Sequence, residues 1–281
     1  MRFALNPITT MESDFQTAVE SYHAAGITHM EFWVDKLDEH MKQHDLSQVT
    51  ELLTRTNMTL VAGICVVQIM LRDVTSEPDA LAEYKRRLAL CRDLRCPVMV
   101  FIPENPESPD RGVYAAMQQN LRGACDVAAD YDVKLALEFL QGNSLVATLG
   151  TAKQIVRNVD HSNLGLLIDL SHVWMGRSDL ADLEDLTCDE LLLVHVDDME
   201  RIEPELLTDH HRTFPGLGRG IDRRIVPAIQ ATGYDGYWSL EVFNHAIWSQ
   251  PIDQIVSQSV ESFDYLRRTY AEAEATGPGD V

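Results

Sequence analysis

The sequence predicts an α/β protein folded as a single-domain (β/α)8 TIM barrel, on three observations. Strand-like and helix-like segments alternate eight times along the 281 residues, a spacing of about 35 residues that matches the size of such a barrel. The strand-like segments are short, near-continuous apolar runs, the pattern of parallel strands buried on both faces. Four successive runs in the second half carry an ionisable residue at or near their ends: KLALEF (Glu138), LGLLID (Asp169), LLLVHV (His195) and YWSLEV (Glu241). Barrel strands bring their C-terminal ends to one mouth, where active sites sit.

Strands are expected at Arg2–Leu5, His29–Val34, Thr59–Val66, Pro97–Ile102, Lys134–Phe139, Leu164–Asp169, Leu191–Val196 and Tyr237–Val242. Helices are expected at Asp14–Ala25, Leu46–Thr56, Asp79–Leu94, Val113–Tyr131, Thr151–Asn158, Leu180–Leu186, Asp222–Thr232 and Ile252–Tyr270. A doubly wound open sheet shows the same alternation but usually has a Gly-rich turn after its first strand. Here that turn reads NPITTMES. One barrel domain is therefore expected over residues 1–270, with a fraying acidic tail, AEAEATGPGDV, over 271–281.

Composition excludes some functions. With 45% hydrophobic residues there is ample material for one large core. Lys and Arg total 23 against 44 Asp and Glu, a net charge of −21, which repels phosphate backbones and argues against a nucleic-acid partner. No apolar stretch nears the roughly 20 residues that span a bilayer, so no membrane role is expected. The opening MRFALNPITTMESDF turns polar too soon for a signal peptide. Five cysteines, an odd set without a CxxC pair, read as free thiols in a reducing cytoplasm.

A single acid at a strand end usually caps or is solvated, and a single histidine on an apolar strand usually belongs to the core. Four such residues at the same point of successive units point elsewhere. Three carboxylates and an imidazole at one mouth repel one another unless a cation joins them. One divalent metal held by Glu138, Asp169, His195 and Glu241 resolves this, and O/O/O/N ligation suits Mn, Mg, Co or Zn. In the DLSH tetrapeptide, His172 begins the loop above Asp169 and can reach a substrate oxygen. Arg201 can neutralise charge developing there, or form a surface salt bridge. Glu31 faces either the mouth or a neighbouring helix. Trp33, Trp174 and Trp248 either wall the cavity or pack in the core. Two connections stand out: Ile202–Ile221, which carries Asp209, the loop residues His210 and His211, Arg212 and PGLGRG, and Phe243–Pro251, which brings Trp248 near the mouth.

The passages FALNPITT, VKLALEFL, NLGLLIDLSH, VHVDDMER, LLTDHHRTFPGLG and GYDGYWSLEVFN resemble the xylose isomerase-like TIM barrels, the sugar isomerase/epimerase superfamily, over nearly the whole chain. Within that group they are similar to the inosose (2-keto-myo-inositol) isomerases. The resemblance implies one divalent metal on Glu138, Asp169, His195 and Glu241, proton transfer by Glu138 and Glu241, and substrate contacts from His172 and Arg201. It also implies a homodimer or homotetramer. Val173, Trp174 and Met175 depart from the isomerase pattern, which often has a further histidine there, and an extra residue stands near Arg219. Both changes border the expected substrate pocket, so they bear on the substrate rather than the metal.

The expected reaction is isomerisation or epimerisation of a small keto-polyol or keto-sugar, unphosphorylated because no Gly-rich phosphate loop is present. The metal stabilises an enediolate while Glu138 and Glu241 act as base and acid, and His172 and Arg201 hold the substrate oxygens, with Trp248 beside them. The alternative is a lyase on the same barrel, expelling a β-hydroxyl as in an inosose or 3-dehydroshikimate dehydratase, or cleaving a keto-glycoside. A hydrolase of abasic DNA is disfavoured by the −21 charge. An inactive binding protein is disfavoured by the complete ligand set.

Overall fold

The structure is a computed structural model and describes residues 1–271 other than Val66 and Arg177. Eight parallel strands close into a barrel: β1 (Arg2–Leu5), β2 (His29–Trp33), β3 (Thr59–Ile64), β4 (Val98–Phe101), β5 (Lys134–Glu138), β6 (Leu164–Asp169), β7 (Leu191–Val196) and β8 (Tyr237–Leu240). Each pairs with its neighbours in sequence. Pairing of β1 with β8, from Arg2↔Tyr237 to Leu5↔Leu240, closes the ring and removes the edges an open sheet would have. The strands match expectation or end one or two residues early, and the fourth also starts one residue late, at Val98. Val66 of the expected third strand and 272–281 of the expected tail lie outside the described residues.

Side chains alternate along each strand, and two cores result. A small one fills the barrel interior with Ala62, Val98, Val100, Ala136, Leu167 and Leu193. The larger one lies between barrel and helices and includes Leu135, Leu137, Leu166, Ile168 and Trp238. Along β5, β6 and β7 the interior positions Ala136, Leu167 and Leu193 are each followed two residues later by Glu138, Asp169 and His195. Period-two geometry thus stacks the ionisable layer directly above the apolar plug.

The helices form where caps and apolar spacing coincide. Asp45 and Gln48 make a capping box at the start of Leu46–Arg55, which buries Val49, Leu52 and Leu53. Thr148 caps Leu149–Val159, whose buried residues follow helical spacing, and Asp160 ends it in the left-handed conformation at φ 50°.

Two expectations need correction. Within Leu180–Leu186 only a 3-10 turn forms, Leu180–Leu183. The α-helix after β6 is Leu170–Met175, so His172 lies in a helix rather than at the start of a loop. Its cause is local: the Asp169 carboxylate accepts the His172 backbone N–H at 2.8 Å and caps the first turn. The long connection after β7 is also more ordered than its length suggested. Asp198–Met199 and Arg212–Thr213 form a short antiparallel pair. The Asp198 carboxylate gathers the N–H groups of Met199, Gly218, Gly220 and Ile221 at 2.8–3.3 Å. A Cβ on Gly218 would fall 2.4 Å from the Met199 carbonyl oxygen, so that close approach requires glycine. This wrapping turns Arg212 down into the mouth.

Candidate metal centre and active site

Glu138 and Asp169 are the last residues of β5 and β6, His195 the penultimate residue of β7, and Glu241 follows β8. Asp169 pairs with His195 and Ser239 with His195 in the ladders, which sets three adjacent strand ends in register. One ligand atom from each of Glu138, Asp169, His195 and Glu241 lies within 4.8 Å of the others, and all four residues are buried. Nδ1 of His195 stands 3.2 Å from Glu241 Oε2, 3.4 Å from Glu138 Oε1 and 3.7 Å from Asp169 Oδ2.

The opposite ring nitrogen explains this orientation. Nε2 of His195 lies 3.1 Å from Oε1 and 3.3 Å from Oε2 of Glu31. Donation to Glu31 leaves a lone pair on Nδ1 facing the three carboxylates, and Nδ1 has no hydrogen-bond partner although it is buried. Such an orphaned acceptor among acidic oxygens fits a divalent cation, and the pattern of carboxylate, imidazole and metal is a common one. Glu31 therefore faces the barrel interior. The register of β2 on β3 slips between Met30 and Glu31 at this point. Ser239 donates to Glu31, and the Asn6 amide bridges Glu31 Oε1 (3.0 Å) and Glu241 Oε1 (2.9 Å).

The electrostatics agree. Burial lowers an imidazole pKa, but the charges of Glu241 and Glu31 outweigh it and raise His195 well above its usual value. The same negative field attracts a metal cation, which must compete with that proton. Burial pushes Glu138 up. For Asp169 and Glu241 the push from burial is overcome, by Arg212 and His172 at Asp169 and by His195 at Glu241, and both fall below the ordinary carboxylate value. Asp197, buried behind Asp169 with Ser171 donating to it, is raised well above its ordinary value by burial and by the Asp169 charge.

Arg212 is the residue that sequence reasoning missed. Its guanidinium is fully buried and lies 2.6 Å from Asp169, 3.0 Å from Asp197, 3.1 Å from Glu241 and 3.3 Å from His172 Nε2. The ring of Phe243 stacks 5.1 Å from it. Arg201, expected either to neutralise charge on a substrate oxygen or to form a surface salt bridge, is exposed and donates to the Gly218 carbonyl at 2.6 Å. The chain turns at the antiparallel pair, so Arg212 reaches the mouth and Arg201 braces the loop. Its only advance signal was its place in the long connection after β7.

The other expected residues separate. His172 lines the cavity, with Nδ1 unpartnered. Trp248 packs behind it: its indole N–H donates to the Val242 carbonyl at 3.2 Å and its ring meets Phe243 at 5.9 Å. Trp33 does line the cavity, whereas Trp174 is exposed beneath Arg219. His210 stacks on His245 at 4.3 Å at the rim, and His211 bonds Thr208 within the loop. The cavity measures about 530 Å³ and reaches Glu138, His172, Asp209, Arg212 and Glu241. A larger depression of about 750 Å³ between Met1, Tyr234 and Trp238 contains none of the cluster, so chemistry places the site in the smaller one.

Buried acids converging on one imidazole are costly to fold around without a cation, so fold and site define a metal-dependent (β/α)8 enzyme. Comparison with known proteins narrows the class. The chain belongs to the xylose isomerase-like TIM barrel family, whose signature matches residues 19–269. It is 25% identical to an inosose isomerase of Halalkalibacterium halodurans over 273 residues, covering 93% of this chain and 95% of that protein. It superposes with a TM-score of 0.88 on the 1.8 Å crystal structure of the IolI protein with a zinc atom, at 25% identity and covering 95% and 99% of the two chains. It is also 27% identical to a 3-dehydroshikimate dehydratase of Pseudomonas putida over 170 residues, covering 60% of this chain and 27% of that protein.

Proposed function

We propose that this chain is a divalent-metal-dependent isomerase or epimerase of a small, unphosphorylated keto-polyol or keto-sugar, with inososes as the first compounds to test. The convergence of Glu138, Asp169, His195 and Glu241 within 4.8 Å carries the reading. A divalent ion in this cage would supply Lewis acidity, making the C–H beside a substrate carbonyl acidic enough for a carboxylate to remove. The inosose isomerase relative supports the substrate class, and the zinc in the IolI protein supports the metal, although Mn, Co and Mg also suit these donors.

The roles follow from the contacts. Asp169 is committed on both oxygens, to the His172 N–H and to Arg212, so it serves as a fixed ligand. Glu138 and Glu241 flank His195 Nδ1 and both line the cavity, which suits one to take a proton and the other to return it. His172 and Arg212 line the same cavity and would hold the substrate oxygens and bear developing charge. Return of the proton to the neighbouring carbon gives isomerisation, and return to the opposite face of the same carbon gives epimerisation.

The test is exchange of the substrate α-proton with deuterated water. Glu241→Gln should slow exchange by about 10²-fold or more, and a wild-type rate in that variant rejects the proton-transfer role. The dehydratase relative supports a second reading, loss of a β-hydroxyl after the same proton abstraction. NMR of the product separates the two, since dehydration creates a vinyl proton. Five free cysteines, four of them buried, support a reducing cytoplasm as the setting. Among the described residues no helix is long and apolar enough to cross a membrane. Light scattering distinguishes the monomer from the homodimer or homotetramer suggested by the family likeness.

A further inference from the structure

The cavity is divided. The loops and strand ends of β1 to β4 contribute Ile8, Met11, Trp33, Ile64, Ile102 and Pro103, an apolar half-ring. The second half of the barrel contributes Glu138, His172, Asp209, Arg212 and Glu241, with Phe243 beside them. Among the described residues, the buried lining atoms without a hydrogen-bond partner, His172 Nδ1, Asp209 Oδ1 and Arg212 Nε, all stand on the charged half.

Three amides, Asn105, Gln141 and Asn143, interrupt the lining, and of these Asn143 is occupied at both ends of its amide. Asn143 accepts from Leu145 and Val146 and donates to the Pro103 and Glu104 carbonyls. Asn105 accepts from the Ser144 N–H at 2.8 Å. A polyol with hydroxyls all round its ring would set several of them against the apolar faces of Ile8, Met11, Trp33, Ile64 and Ile102, which offer no hydrogen-bond partner in place of the water displaced, a costly arrangement.

That half is also held in shape. Lys36 Nζ donates to the carbonyls of Thr10, Met11 and Ser13 at 2.6–3.2 Å, fixing the turn that carries Met11. The Asn6 side chain accepts from the Ile8 N–H at 2.9 Å. The wall is therefore preformed, and a cavity of about 530 Å³ falls within the roughly 300–1,000 Å³ that holds drug-sized ligands, with room for a ring and a substituent.

We infer that the substrate is an α-hydroxyketone ring bearing an apolar substituent of aryl or alkyl size, its ketone edge toward His172 and Arg212 and its apolar body against Trp33, Met11 and Ile102. The inference rests on the proposed proton-transfer site and specifies what that site accepts.

The experiment compares a keto-inositol with the positional isomers of its mono-O-benzyl derivative on metal-loaded protein, reading both the dissociation constant by calorimetry and α-proton exchange by NMR. At least one benzyl isomer should bind tenfold or more tightly than the parent compound, about 1.4 kcal/mol. Trp33→Ala should bring that ratio toward one, and so should Met11→Gln, a substitution at a half-exposed turn that tests the wall if Trp33→Ala fails to fold. Equal or weaker binding of every benzyl isomer overturns the inference, as does a ratio unmoved by both variants. Tighter benzyl binding with no α-proton exchange from any compound upholds the apolar wall as a binding surface and rejects the proton-transfer reading. Exchange from all compounds without preference does the reverse.

Discussion

Glu31 and His195 form a buried pair, with carboxylate oxygens 3.1 and 3.3 Å from Nε2 on the side of the ring away from the acidic cluster. Glu31 thereby selects the tautomer that presents Nδ1 as an acceptor. Glu31→Leu frees the ring and should weaken metal affinity about 10- to 100-fold. Competition with a chromogenic chelator measures this, and unchanged affinity would show that the pair does not set the tautomer.

Arg212 is the fixed cation of the site, within 3.1 Å of Asp169, Asp197 and Glu241. Arg212→Met leaves buried carboxylates without their partner, a change that costs about 3–5 kcal/mol. Denaturant titration of metal-free protein should show that loss. Added metal should restore part of it, because a second cation compensates the same acids. A loss under about 1 kcal/mol, the range of exposed pairs, would mean that Arg212 does not carry the charge balance.

Metal removal should be visible without any substrate. A ligand at a hundred times its dissociation constant stabilises by about 2.7 kcal/mol, which for a chain of this size moves Tm by about 5 °C. Dialysis against chelator should lower Tm by that amount, and one equivalent of zinc or manganese should restore it. Identical melting with and without metal would favour a binding protein on a barrel without metal chemistry.

Much of this was legible in advance because the (β/α)8 pattern is repetitive. Strands of near-continuous apolar residues with Glu138 and Asp169 at their ends and His195 one residue before its end place those side chains at one mouth by period-two geometry alone. What stayed hidden depended on how irregular segments fold back. Arg201 and Arg212 stand eleven positions apart in one connection, and only the pairing of Asp198–Met199 with Arg212–Thr213 decides which reaches the acids. Glu31 was ambiguous because its strand pairs through a register slip at that residue. Trp248 sits on a short helix capped by Asn244, which turns its indole toward Phe243 and away from the cavity.

Lys36 gives a pH signature. Burial brings its pKa from 10.5 down to about 8. Between pH 8 and 10.5 the unfolded chain binds more protons at this site than the folded one, so stability rises with pH through that window. Below pH 8 both states are protonated, so the slope vanishes and the full cost of burying the charged ammonium remains. Lys36→Met should remove that rise from a plot of unfolding free energy against pH, and an unaltered slope would assign the rise to other groups.

The most direct measurement is anomalous diffraction from crystals of metal-loaded protein, collected above and below the absorption edge of the metal. The account predicts one strong peak per chain, about 2.0–2.2 Å from oxygens of Glu138, Asp169 and Glu241 and from Nδ1 of His195, with Nε2 still on Glu31. A peak elsewhere, or four side chains that hold no ion at saturating metal, would contradict it.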